Sequence, residues 1–165
     1  PAASPMEGRW WPRWTSQGSC RCRRSLPSPV PTASVSGVID PPFGPAMDVW
    51  LAPPQGAPGH RTSAKALLDS GSQTSCVHSD VAQRLHLAPI AAATVTRTGI
   101  SGTGLPRPVY YLLIDLGRLG VFPHHPVSEL DSALRGFEFL IGRDLLRHWV
   151  VTLDGPAGRF EIVKP

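Results

Sequence analysis

Apolar residues in this chain come in short runs, cut repeatedly by glycine and proline. From Met47 onward the pattern predicts a succession of strands. "MDVWLA" is a strand-like run, and "PPQGAPGH" after it is a Pro/Gly turn. "RTSAKALLD" predicts a second strand, ending on Asp69. "SDVAQRLHL" opens on Ser79, a suitable N-cap, and carries Val81, Ala82 and Leu85 with Leu87 beyond, which predicts one short helix. "ATVTRTGISGTGLPRPVYYLLIDLG" predicts two strands around the glycine-rich turn Gly99 to Gly104. "GVFPHHPVSEL" predicts a further short strand and a loop, and "FEFLIGRDLLRHW" a strand that breaks at Gly142 and becomes a short helix. "VVTLD", "GPAG" and "RFEIV" form a final hairpin, in which Arg159, Phe160, Glu161 and Ile162 alternate as in a half-buried strand. Many short strands, tight turns and one or two small helices describe an all-β barrel or sandwich.

Upstream of Met47 the texture differs. Residues 1–46 are rich in Pro, Ser, Arg and Trp and predict a disordered tail, leaving 47–165 as the folded domain. Arg9, Trp10, Trp11, Arg13 and Trp14 interleave base and aromatic, a pattern that suits a membrane surface or nucleic acid. Pro12 interrupts any amphipathic period there, so a solvated tail is the simpler reading. The net charge of +4 also belongs largely to this tail. It holds five Arg against Glu7 and Asp40, whereas the rest balances eleven Lys or Arg against ten Asp or Glu. The folded part is therefore close to neutral, and no nucleic-acid partner is expected.

Three cysteines, Cys20, Cys22 and Cys76, do not describe a disulfide framework. Reduced thiols in a reducing compartment is the favoured reading, which favours the cytoplasm. Cys20 and Cys22 have no second pair to complete a metal site. The chain opens on Pro1 rather than Met, as a processed or excised fragment would, and shows no signal-peptide pattern. The apolar run Val109 to Ile114 is far short of the roughly 18 residues that a membrane span requires, so no transmembrane segment is expected.

The candidate chemistry lies at the end of the second strand. In "KALLDSGSQTSCV" an apolar run leads straight into Asp69, followed by Ser70, Gly71 and Ser72. An ionised carboxylate away from water is costly unless it is paired or hydrogen-bonded. A turn cap, a salt bridge or a working acid would each explain it. Roughly seventy residues later "FLIGRDLL" places Leu140, Ile141, Gly142, Arg143 and Asp144 at a strand-to-helix junction, with "TGISGTG" between in sequence.

Together these motifs resemble the retroviral-type aspartic proteases, the retropepsins, and in particular their single-domain forms in bacteria and mobile elements. The resemblance covers about residues 47–163 and implies a retropepsin-like acid protease barrel with a flap hairpin. It implies peptide hydrolysis by two carboxylates that share a proton, since like charges so close cannot both ionise. One Asp draws a proton from a water, which attacks the scissile carbonyl, and the protonated Asp polarises the carbonyl oxygen. Asp69 would be that acid. The resemblance implies that Ser70 ties two active-site loops together and that Gly71 lets the backbone pass close to the carboxylates. Residues 139–142, with Arg143 and Asp144 beyond, would pack under the loop as structural residues. Gly99, Ile100, Ser101 and Gly102 would belong to a flap that closes over an extended polypeptide substrate. No metal or organic cofactor is implied.

Only one Asp-Ser-Gly or Asp-Thr-Gly exists in the chain, so one chain supplies half a dyad and the implied enzyme is a homodimer. Two departures from the retroviral pattern stand out. Many retroviral enzymes have Ala then Asp after Asp-Ser-Gly, and the second Asp pairs with the Arg of the helix. Here Ser72 and Gln73 stand there, leaving Arg143 to pair elsewhere, with Asp80 and Asp154 as candidates. Ser72 resembles the pepsin-like pattern, in which a hydroxyl donates to the carboxylate and an acidic pH optimum follows.

Other readings weigh less. Asp-Ser-Gly is good turn chemistry by itself. No Gly-x-Ser-x-Gly elbow supports Ser70 or Ser72 as a nucleophile. "GISGTG" lacks the following Lys and helix of a phosphate loop. His124 and His125, flanked by prolines, predict an exposed loop, and Cys76 predicts a small core residue. The main alternative function is a non-catalytic peptide-binding or dimerisation module on the same fold. A third is an interaction protein whose activity sits in the tail. Self-processing within the proline-rich segment would accompany the protease reading.

Overall fold

The computed structural model describes residues 33–54, 60–95, 105–130 and 136–165, which fall within one unit, residues 31–165. Among them the short apolar runs become ten strands: β1 (Ser34–Asp40), β2 (Gly44–Ala52), β3 (Thr62–Leu68), β4 (Cys76–His78), β5 (Ala91–Val95), β6 (Leu105–Asp115), β7 (Val121–Leu130), β8 (Phe139–Ile141), β9 (Val150–Asp154) and β10 (Arg159–Val163). Two short helices join them, α1 (Ser79–Arg84) and α2 (Arg143–Leu146).

Six strands close on themselves. β2 pairs with β3, β3 with β8, β8 with β4, β4 with β7, β7 with β6, and β6 returns to β2. Closure removes the exposed edges that an open sheet would leave. The side chains that point inward fill the barrel. Val49 and Leu51 alternate with exposed Asp48 and Trp50 on β2, and Leu112, Ile114, Val127, Phe139 and Ile141 meet them from the other strands. β3 begins by alternating and ends with three consecutive buried residues, Ala66, Leu67 and Leu68. There it lies between β2 and β8, with neighbours on both sides.

The fold extends further upstream than Met47. β1 pairs antiparallel with β10, from Ser34 opposite Val163 to Val38 opposite Arg159, and then with the start of β2. The expected disordered tail therefore does not include residues 34–46. The alternation in "SVSGVID" was hidden because one inward position is Gly37. A Cβ there would lie 2.5 Å from the Phe160 ring, so the glycine that reads as a turn signal is a packing requirement. Residues 1–32 lie outside the described residues.

Two local expectations also change. His78, not Ser79, caps α1: its Nδ1 accepts the Asp80 N–H at 3.2 Å. The stretch around His124 and His125 is part of β7 and not an exposed loop. Pro123 and Pro126 are tolerated because β7 pairs with β4 only over residues 128–130, so both prolines lie where the strand has one neighbour. Among the described residues, no helix is long and apolar enough to cross a membrane.

Candidate functional site

Sheet order dictates where the site forms. β8 lies between β3 and β4, parallel to the first and antiparallel to the second. The connection from β3 to β4, residues 69–75, must therefore cross the end of β8. At that end the chain leaves Ile141, turns at Gly142 and enters α2. The two motifs meet because the strand order leaves them no other course.

Their contact is backbone on backbone. The Asp69 N–H donates to the Ile141 carbonyl at 3.0 Å, and the N–H groups of Arg143 and Asp144 donate to the carbonyls of Ser72 and Gln73 at 3.0 and 3.3 Å. Gly142 sits at the closest point. A Cβ there would lie 2.5 Å from the carbonyl carbon of Thr74 and 2.6 Å from its oxygen. Its φ of −87° is ordinary, so what calls for glycine here is space and not conformation.

Asp69 itself is half-buried at the end of β3. Its Oδ1 accepts the Gly71 N–H at 2.8 Å, which orients the carboxylate. A Cβ on Gly71 would approach that same oxygen to 3.0 Å, so glycine keeps the space beside the carboxylate open. Ser70 and Gly71 are exposed around it.

Ser72 does not serve the carboxylate. Its hydroxyl donates to the Thr74 carbonyl at 2.8 Å, a local turn bond two residues long. The expected extra donor to Asp69, and the acidic optimum argued from it, thus lack their hydrogen bond. Ser72→Ala is expected to leave the pH–rate profile of any cleavage activity in place; a shift of the acidic limb would show that the hydroxyl reaches the carboxylate after all.

Arg143 likewise finds neither Asp80 nor Asp154. Its Nη1 donates to the Ser70 carbonyl at 3.0 Å and lies 3.5 Å from that of Gly71. With no acidic residue at position 73, the guanidinium binds main-chain oxygens of the same loop. Leu140 and Ile141 are buried in β8, whose end the loop crosses.

Asp144 is the centre of a polar network under the loop. One of its oxygens, Oδ2, accepts the Ser75 N–H at 2.9 Å and faces His125 Nε2 at 2.9 Å. The other accepts the Ser75 hydroxyl at 2.8 Å. The Ser75 oxygen in turn accepts the Gly142 N–H at 3.1 Å. Ser75 is fully buried, and its N–H, its hydroxyl and its carbonyl each have a hydrogen-bond partner. Sequence reasoning named Asp144 but missed Ser75 and His125. The only signal for Ser75 was a polar residue between the loop and an apolar strand.

Burial works to raise the Asp144 pKa. The His125 hydrogen bond, the two bonds from Ser75 and the His125 charge together hold it below its ordinary value of 3.8. A carboxylate whose folded pKa lies below its unfolded one adds stability that is complete above the unfolded value and lost as pH falls through the folded one. Wild-type stability is therefore expected to decline from about pH 4 downward, and Asp144→Asn to decline less over that window. Urea midpoints measured against pH for both proteins check this; parallel curves would contradict it.

Cys76 is buried at the start of β4, and its thiol is pushed up to about 11, chiefly by burial and then by the charge of Asp144. It is a core residue and not a nucleophile. No group of three or more His, Cys, Asp or Glu among the described residues could hold a metal ion. Gly99, Ile100, Ser101 and Gly102, the expected flap tip, lie outside the described residues. Strands β5 and β6, which bracket them, pair antiparallel from Ala91 opposite Val109 to Val95 opposite Leu105.

The barrel has a counterpart among solved structures. A retropepsin-like aspartic protease from Rickettsia conorii superposes with a TM-score of 0.53 at 14% identity, over 81% of this chain and 92% of that one. The fold is retropepsin-like. Two further structures are similar to the retropepsin-like barrel at lower scores. An EIAV protease complexed with the inhibitor HBY-793 has a TM-score of 0.43 at 19% identity, over 62% of this chain and 85% of that one. The retroviral protease-like domain of Ddi1 from Leishmania major has a TM-score of 0.40 at 18% identity, over 72% and 94%. No protein-family model and no curated protein matches the chain.

Proposed function

We propose that this protein is an aspartic endopeptidase that acts as a homodimer, with Asp69 of each subunit facing the other across a two-fold axis. One observation carries the reading. The single Asp-Ser-Gly of the chain ends a buried strand, and its loop is fixed from below by the Gly142–Asp144 junction while the carboxylate side stays open. A turn residue would not require such support, whereas an acid that must meet a partner acid in fixed geometry does.

In this reading one Asp69 draws a proton from a water held between the two carboxylates, and that water attacks the peptide carbonyl. The other Asp69, protonated, donates to the carbonyl oxygen and stabilises the charge that develops there. Ser70 and Gly71 shape the rim, and Leu140 to Asp144 hold the loop. The substrate is an extended polypeptide, and the paired strands β5 and β6 flank the flap to which Gly99, Ile100, Ser101 and Gly102 are assigned in this proposal. No step calls for a metal or an organic cofactor. Residues 1–32 supply a segment that the enzyme can cut, and the cytoplasm is the proposed compartment.

Incubating the purified full chain with a mixed peptide library from acidic to neutral pH, beside its Asp69→Asn variant, tests the reading. Cleavage by the wild type alone supports it. Inactivity of a wild type that sediments as a dimer would overturn it in favour of a binding or dimerisation module, and equal activity of the two would place the chemistry elsewhere.

A further inference from the structure

We infer that His125 is a positioning residue for the Asp69 loop, acting through Asp144 and Ser75. This rests on the reading of Asp69 as a working acid for its catalytic consequence, though not for its structural one.

β7 reaches Ser75 once directly and once through Asp144. The Ser128 N–H of β7 donates to the Ser75 carbonyl at 3.1 Å. Three residues earlier on the same strand, His125 Nε2 lies 2.9 Å from Asp144 Oδ2, the oxygen that accepts the Ser75 N–H. Asp144 Oδ1 takes the Ser75 hydroxyl and the Leu145 N–H, at 2.8 and 3.0 Å. His125 therefore completes a set of four donors around one carboxylate. Removing it leaves Asp144 short of a donor in a site where both side chains are largely hidden, at 15% and 21% exposure.

The imidazole is held in place by packing as well. It meets the edge of Phe122 at 5.9 Å between ring centres, and Phe122 in turn packs against buried Trp149 at 5.9 Å and His148 at 5.4 Å. Its neighbour His124 is exposed and packs against Tyr111 instead. An ionised carboxylate only accepts, so Nε2 carries the hydrogen. The neutral Nε2–H tautomer and the protonated ring both supply that donor. The requirement is thus for a donor at one point, and not for a particular charge. Through Ser75 the constraint reaches Gly142, and through the Gly142 junction it reaches the carbonyl of Ile141 that receives the Asp69 N–H.

His125→Phe removes the donor and keeps a ring, whereas His125→Gln places an amide N–H near the position of Nε2. His125→Phe is expected to lower kcat at least about tenfold with KM within about twofold, and His125→Gln to return kcat to within about threefold of wild type. Amide exchange in the full chain gives a readout independent of cleavage. Ser75, Gly142 and Asp69 are expected to exchange faster in His125→Phe and at the wild-type rate in His125→Gln, with Phe160 and Ile162 of β10 unchanged in both. If the wild type cleaves nothing, the protease reading fails while exchange still decides the role of His125. Unchanged exchange at Ser75 and Gly142 in His125→Phe would overturn the inference. So would equal loss of kcat in the Phe and Gln variants, or faster exchange that extends to Phe160 and Ile162. Should His125→Phe not fold, His125→Met, flexible and without a donor, takes its place; failure of both to fold would make His125 a requirement of the whole barrel and also overturn it.

Discussion

Asp69→Asn is expected to lower peptide cleavage by at least about a thousandfold while leaving the urea midpoint in place, because general acid–base catalysis by one group is commonly worth about 10²- to 10⁴-fold and a homodimer loses both groups at once. The side-chain oxygen of Asn still accepts the Gly71 N–H that Asp69 Oδ1 accepts at 2.8 Å, so the loop keeps its shape. What disappears is the titrating proton: no carboxylate remains to activate water and none to donate to the carbonyl. Mixing gives a sharper form of the test. If wild-type and Asn chains are unfolded together in equal amounts and refolded, random pairing puts two Asp69 in about a quarter of the dimers. Activity per total protein should then fall to about that fraction of the wild-type value. A fall to about one half would mean that each chain works alone, and the two-fold mechanism would be wrong.

The resemblance was legible because its two motifs are short and stiff. "LLDSG" and "FLIGRD" are dictated by a loop crossing the end of a strand, where few residue types fit, and Gly142 is the extreme case. The strands were legible for the same reason that they are stable: Val49 and Leu51 on β2, or Phe160 and Ile162 on β10, alternate with exposed neighbours on half-buried surfaces. Partners that depend on three-dimensional placement were not legible. Nothing local says that Arg143 binds the carbonyls of Ser70 and Gly71, or that the Ser72 hydroxyl turns to Thr74. His125 lies nineteen residues before Asp144 between two prolines, and prolines read as loop unless the strand is known to have one neighbour there. β1 was lost to a glycine at a packed position, where composition points the wrong way.

Gly142→Ala is expected to be the most damaging single substitution for the fold of the site, at roughly 3 kcal/mol, the upper end of what over-packing usually costs. The added methyl would meet three backbone atoms: the carbonyl carbon and oxygen of Thr74 at 2.5 and 2.6 Å, and the Ser75 nitrogen at 2.9 Å. A flexible side chain could swing away from such a contact, but main chain cannot. Relief requires the loop to lift from the end of β8, and that stretches the bonds holding it: Gly142 N–H to Ser75 Oγ at 3.1 Å and Arg143 N–H to the Ser72 carbonyl at 3.0 Å. Asp69 sits on the same loop, so cleavage should fall with stability even though the new methyl does not touch the carboxylate. Gly155→Ala is the control, since nothing lies within 4 Å of a Cβ there. Urea unfolding of the two variants beside wild type measures the difference. A Gly142→Ala protein as stable as Gly155→Ala would mean that the loop and the Gly142 junction are not packed backbone on backbone, and the support argued for Asp69 would go with it.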